Sequence, residues 1–178
     1  MNISSDDNPL KHPDQRVGVF IDVQNLYYSA QNLFNCKVDF GNVVGDSVGK
    51  RKLIRAIAYV VRTDSEQEQS FFEALYNLGI ETREKDLQVY DSGNKKADWD
   101  VGLTIDAIRL ASNLDSIVIA SGDGDYIQLM EYLQKSSGKQ VELASFGAST
   151  STALKEQADD FLDLCDDPDR YLIGYDGE

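Results

Sequence analysis

Acidic side chains close two apolar runs in this chain. VGVFID (17–22) ends on Asp22, and SIVIAS (116–121) leads straight into Gly122-Asp123-Gly124-Asp125. The glycines let the backbone turn tightly enough to bring both aspartates inward. Carboxylates gathered in one pocket repel each other, and the usual remedy is a hard cation that takes oxygen ligands, magnesium or manganese. Asp22, Asp123 and Asp125 are therefore expected to hold a divalent metal ion, with Asn25 and Ser121 as direct or water-mediated supporting ligands. A further carboxylate should come from NKKADWDVGLTIDAI (94–108), where Asp100 falls in the first turn of a helix. Asp106, almost two turns on, ranks second, and Asp98 suits the N-cap. A plainer reading stands beside this one, since Asp22 and Asp125 each precede a helical pattern and would cap it.

Several other chemistries are excluded. GDSVGKR (45–51) has too few residues between its glycines for a phosphate loop and no Ser or Thr after Lys50. GDGDYI lacks the third glycine of a dinucleotide fingerprint, and DGDYIQL lacks the remaining ligands of a calcium loop. His12 is the only histidine and lies in an aperiodic amino-terminal stretch, which leaves no base for a Ser-His-Asp triad.

The elements that must position these aspartates follow from periodicity. VGVFID is apolar on both faces, as a central strand covered on both sides is. After it, VQNLYYSAQNLF places Leu26, Ala30 and Leu33 on one helical face and ends at Asn35. The pattern recurs as strand 53–61, helix 65–79 capped around Asp64 and stopped at Gly79, and a strand near IETREK. A helix over 98–114, strand 116–121, helix YIQLMEYLQKSS, strand 140–146, a helix near TALKEQA and a strand near FLDL complete the set. Strands alternating with helices predict an α/β fold, a three-layer αβα sandwich on a mostly parallel sheet. In such sheets ligands sit beyond the carboxyl ends of the strands, where these aspartates fall. Residues 38–52, with glycines 41, 45 and 49, read as a mobile loop.

With 178 residues, 42% of them hydrophobic, the chain is long enough for one compact domain with a real core. The expected organisation is a flexible arm over 1–15, a domain over 16–165 and an acidic tail over 166–178. No run reaches the roughly 18 apolar residues that span a bilayer, and the first residues lack a secretion signal, so the expected location is cytoplasmic. Cys36 and Cys165 form no metal-binding or disulfide pattern. The 31 acidic residues outnumber the 17 basic ones, a balance unfavourable to phosphate backbones. The basic residues are grouped, however: Lys50, Arg51, Lys52 and Arg55, with Lys95 and Lys96, are the expected phosphate-binding rim.

Three blocks, VFIDVQNLY (19–27), KKADWDVGLTIDAI (95–108) and IVIASGDGDYIQLM (117–130), resemble in order and spacing the NYN domain family, in its LabA-like group, a branch of the PIN-like nuclease superfamily. The resemblance covers roughly residues 16–165 and implies a PIN-like fold whose acidic pocket binds magnesium or manganese and cuts RNA. Asp22, Asp100, Asp123 and Asp125 match the acidic positions of that family. Asn25 would orient the first aspartate or a water. The expected partner is an RNA substrate. The alternative is a regulatory module that keeps the pocket and meets a protein partner or a second copy of itself. Tyr27, Tyr28 and Tyr126 are expected to be exposed, where they would stack bases.

Overall fold

The computed structural model describes residues 8–63, 65–89, 95–96 and 98–177, and for 66, 88, 89, 95 and 96 the backbone alone. The chain runs β1 (Arg16–Asp22), α1 (Val23–Phe34), β2 (Lys37–Val38), α2 (Phe40–Val48), β3 (Lys52–Arg62), α3 (Glu66–Asn77), β4 (Glu81–Asp86), β5 (Gln88–Val89) and β6 (Lys95–Lys96). It continues through α4 (Asp100–Leu110), β7 (Ser116–Ala120), α5 (Ile127–Lys135), β8 (Gln140–Ser145), α6 (Thr152–Gln157), β9 (Asp160–Asp163), α7 (Pro168–Tyr171) and β10 (Leu172–Ile173).

Six strands form one sheet in the order β4-β3-β1-β7-β8-β9, every neighbouring pair parallel. The order reverses at β1. The chain first winds outward through β3 and β4, then returns to the other side of β1 and winds outward through β7, β8 and β9. Side-chain alternation along β1 sends Val17, Val19 and Ile21 into the core shared with α1, α2 and α3, and Phe20 into the core shared with α4, α5 and α6. That is the three-layer αβα sandwich. Gly18 faces the second core, where a Cβ would lie 2.5 Å from Leu114 Cδ1, so the close approach of the chain after α4 requires a residue without one. Among the described residues no helix is long and apolar enough to cross a membrane.

The expected mobile loop over 38–52 is instead mostly helix. Asp39 caps α2 by accepting the Asn42 N–H, and Phe40, Val43, Val44, Ser47 and Val48 are buried. Their spacing is that of an amphipathic helix, and burial of that stripe outweighs the cost of Gly41 and Gly45 inside it. Helix α1 ends where expected, at Asn35, whose left-handed φ of 53° lets its N–H reach the carbonyls of Ala30 and Gln31. The acidic segment after 165 carries short elements of its own, α7 and β10. Tyr171 and Leu172 are buried, and β10 pairs antiparallel with β2. The expected Asp64 cap of α3 lies outside the described residues.

At the amino edge of the sheet a charged pair is fully enclosed. Arg51 and Glu142 meet at 2.9 and 2.7 Å with side-chain exposures of 1% and 4%. The remaining Arg51 donors reach the carbonyls of Ser47 and Val48 and the amide of Gln15, while Gln140 donates to Glu142 Oε1. Lys52 lies opposite Arg16 at the start of β1 and pairs with Asp14.

Candidate functional site

The reversal of strand order at β1 opens a crevice beyond its carboxyl end, and the chain fills it with acid. Asp22 is the last residue of β1 and the N-cap of α1, accepting the Asn25 N–H at 3.2 Å. Asn25 reaches across to β7, its amide oxygen accepting the Gly122 N–H at 2.9 Å. Ser121 donates to Asp22 at 3.1 Å and accepts the Asp123 N–H at 3.2 Å. Asp123 then opens a single 3₁₀ turn over Gly124–Tyr126 and caps it through the Asp125 N–H at 3.0 Å. Gly122 is needed here for proximity, since a Cβ would lie 2.8 Å from Thr150 Oγ1 and 3.2 Å from that residue's backbone. The turn swings Tyr126 back under the site, where its buried hydroxyl lies 3.1 Å from Asp100 and 3.4 Å from Asp22.

Asp100, in the first turn of α4, Asp123 and Asp125 each present a carboxylate oxygen, and the three atoms lie within 4.8 Å of one another. Asp22 sits deeper, behind the trio, joined to Asp100 through Tyr126. Burial pushes the Asp22 carboxyl up to about 6 against the lowering effect of its bonds from Asn25 and Ser121, with Asp100 and Asp123 adding to the rise. Burial raises Asp100 as well, with Asp123, Asp98 and Asp125 contributing and the Tyr126 hydroxyl opposing. The Tyr126 phenol is pushed far up by burial and by the charges of Asp22 and Asp100, so it remains a hydrogen-bond donor.

Asp22, Asn25, Asp100 and Asp123 line a cleft of about 330 Å³ together with Gln24, Tyr28, Asn32, Leu33, Asp98, Trp99 and Ser149. Among the described residues no lysine or arginine lines it. The donor set is entirely oxygen, the ligand type that a hard divalent cation such as magnesium takes.

Of the other residues expected at the site, Asn25 and Ser121 are present as supports for the backbone and for Asp22. Asp106 is not part of it. It faces β3 and β4, accepting the Tyr59 hydroxyl at 2.9 Å and lying 3.6 Å from Arg83. Asp98 is not the cap of α4, whose N-cap is Trp99 with no side-chain bond, but it does line the cleft. Of the expected basic rim, the four residues whose side chains are described lie elsewhere. Arg51 is sealed against Glu142, Lys50 and Lys52 lie at the amino edge of the sheet away from the aspartates, and Arg55 is held by Glu81 at 2.7 Å. The side chains of Lys95 and Lys96 lie outside the described residues. Tyr126 is buried where exposure was expected, whereas Tyr27 and Tyr28 are exposed. Trp99 had been passed over; its indole N–H donates to the Val60 carbonyl at 2.9 Å and fixes one wall of the cleft.

Helices on both faces of a parallel sheet and an acidic crevice at its switch point define a PIN-like domain. The NYN domain model matches residues 16–165, and the chain belongs to the NYN domain family. It is 28% identical over 159 residues to the "Low amplitude and bright protein LabA" of Synechococcus elongatus, covering 85% of this chain and 84% of that one. A crystal structure of a protein of unknown function from Vibrio parahaemolyticus superposes with a TM-score of 0.83 at 29% identity, over 90% of this chain and 98% of the other.

Proposed function

We propose that this protein is a ribonuclease that depends on magnesium or manganese, the cation being held by Asp100, Asp123 and Asp125 with Asp22 as the fourth carboxylate. The observation that carries the reading is the convergence of three carboxylates, Asp100 from the first turn of α4 and Asp123 and Asp125 from the turn after β7, at an open cleft that no basic side chain lines among the described residues. Unneutralised, such a cluster opposes its own formation; the Asp22 and Asp100 carboxyls are raised first by burial and further by the neighbouring carboxylates. A bound divalent cation supplies charge neutralisation and Lewis acidity for hydrolysis of a phosphodiester. The chain's own contribution is placement. Ser121 and the Asn25 N–H orient Asp22, Tyr126 ties Asp22 to Asp100, and the 3₁₀ turn fixes Asp123 beside Asp125.

The test is manganese-dependent cleavage of a single-stranded RNA by the full chain and by Asp22→Asn, Asp100→Asn, Asp123→Asn and Asp125→Asn. Each substitution should reduce cleavage by more than about 100-fold, since disturbing even the groups behind metal ligands costs ten- to 100-fold. Asp106→Asn should leave cleavage intact, because that carboxylate faces Tyr59 and Arg83. Cleavage that survives Asp22→Asn in a carefully purified sample points to a contaminating nuclease or to a different catalytic set. Metal binding without cleavage by the wild-type chain assigns the pocket to a regulatory module that meets a protein partner.

A further inference from the structure

Helix α1 begins at the acidic cluster and carries an ordered row of side chains away from it. Gln24, Tyr28 and Asn32 recur at every fourth residue, which stacks them on one face over about 12 Å, and all three line the cleft that contains Asp22, Asp100 and Asp123. The other amides of the helix are in use: Asn25 accepts from Gly122, and Gln31 donates to the Cys36 carbonyl at 2.9 Å. Among the described residues the Gln24 and Asn32 side chains bond to nothing. Tyr28, between them, is 53% exposed, yet the edge of Tyr27 braces its ring at a centroid distance of 5.5 Å and an interplanar angle of 71°. A second cleft, along Gln31–Cys36 and Gly174–Asp176, shares Asn32 and Leu33 with the first and extends the groove along the helix.

We propose that Gln24, Tyr28 and Asn32 form a nucleobase subsite, in which one unpaired base of a single-stranded RNA stacks on Tyr28 while the two amides hydrogen-bond its edge. The inference rests on the ribonuclease reading. Among the described residues no lysine or arginine lines the cleft, so in this scheme the strand is gripped by its bases and by the cation at its phosphate. Stacking on an aromatic ring accepts any base, and side-chain amides carry both a donor and an acceptor for base edges, adenine being their commonest partner. A duplex keeps its bases paired and stacked, so it has nothing to offer such a site. Tyr28 and the amides bind substrate in this scheme, and the chemistry stays with the aspartates.

The experiment measures binding of the full chain, in an Asp123→Asn background with manganese present, by anisotropy of fluorescein-labelled hexamers: oligoadenylate, oligouridylate, the same backbone without bases, and a duplexed oligoadenylate. Tyr28→Leu should weaken binding of oligoadenylate about tenfold, Tyr28→Phe should leave it within twofold, and Gln24→Ala with Asn32→Ala should narrow the gap between adenylate and uridylate. The hexamer without bases should bind no better to the parent than to Tyr28→Leu. Equal binding of based and baseless hexamers by the parent, or full affinity in Tyr28→Leu, overturns the subsite, as does preference for the duplex. Cleavage by the chain with native Asp123 is read separately. Metal-dependent cleavage indifferent to Tyr28→Leu removes the subsite and keeps the ribonuclease. Base-dependent binding without cleavage keeps the subsite and removes the ribonuclease.

Discussion

Replacing Arg51 with Met should destabilise this protein severely and leave its interaction with RNA untouched. The guanidinium is 1% exposed and spends its donors on Glu142, Gln15 and the carbonyls of Ser47 and Val48. Its loss leaves the Glu142 carboxylate enclosed, with only the Gln140 amide at 2.7 Å for company. Removing one partner of a buried pair costs about 3–5 kcal/mol, against about 0–1 kcal/mol for an exposed pair. For a chain of this size that corresponds to a fall in Tm of roughly 6–20 °C. Urea denaturation of the full chain measures it, with Lys50→Ala as the exposed control. Arg51→Met combined with Glu142→Leu should recover most of the loss, because an apolar pair of similar volume needs no desolvation of charge. The same samples give the salt dependence of RNA affinity. A phosphate contact removed would lower the slope of log affinity against log salt by about one, and here the slope should not change. A loss under about 1 kcal/mol, or a flattened slope, would refute the assignment of Arg51 to the amino edge of the sheet.

Three further outcomes are expected. Millimolar manganese should raise Tm and quench the emission of Trp99, the only tryptophan and a wall of the acidic cleft; Asp123→Asn should raise the metal-free Tm while weakening both responses. Acid denaturation should report Asp115, whose carboxyl is lowered to about 2 first by the Arg16 side chain and then by its backbone N–H. A carboxyl lowered in the folded state contributes stability above its unfolded value near 3.9, and that contribution is lost as the pH falls toward 2. Arg16→Met should therefore flatten the stability curve between pH 4 and pH 2. Gly147→Ala should cost about 1–3 kcal/mol in urea, since its Cβ would collide with the Asp163 carboxylate that accepts the Gly147 and Cys165 N–H groups.

Which features the sequence disclosed depended on whether they were local. Asp22, Asp123 and Asp125 follow apolar runs directly, and a parallel sheet places run ends at one edge, so their meeting could be inferred without coordinates. Asp100 separated from Asp106 because only the first turn of α4 reaches that edge. Helix α2 escaped notice because Gly41, Gly45 and Gly49 are strong turn signals, and only the spacing of Phe40, Val43, Val44, Ser47 and Val48 opposed them. The basic group around Lys50–Lys52 could not be placed for a different reason. A cluster along the chain does not say which end of a strand it occupies in space, and the register of Lys52 with Arg16 puts this one at the amino edge, away from the aspartates. Tyr126 was misplaced because a 3₁₀ turn, unlike the expected helix start, rotates its third residue inward.

Strand β1 pairs with β3 on one side and β7 on the other, so the acidic crevice has no existence in either half of the chain. More than half of the sequence separates Asp22 from Asp123, and the strand bearing Asp22 is made first while its partner at the site comes much later. Contacts of such long sequence separation form slowly and late. During synthesis the amino-terminal strands can pair and cover one face of β1 before α4 and β7 have left the ribosome, yet the cluster remains open. The cluster is thus assembled only after β7 and the turn bearing Asp123 and Asp125 have been made.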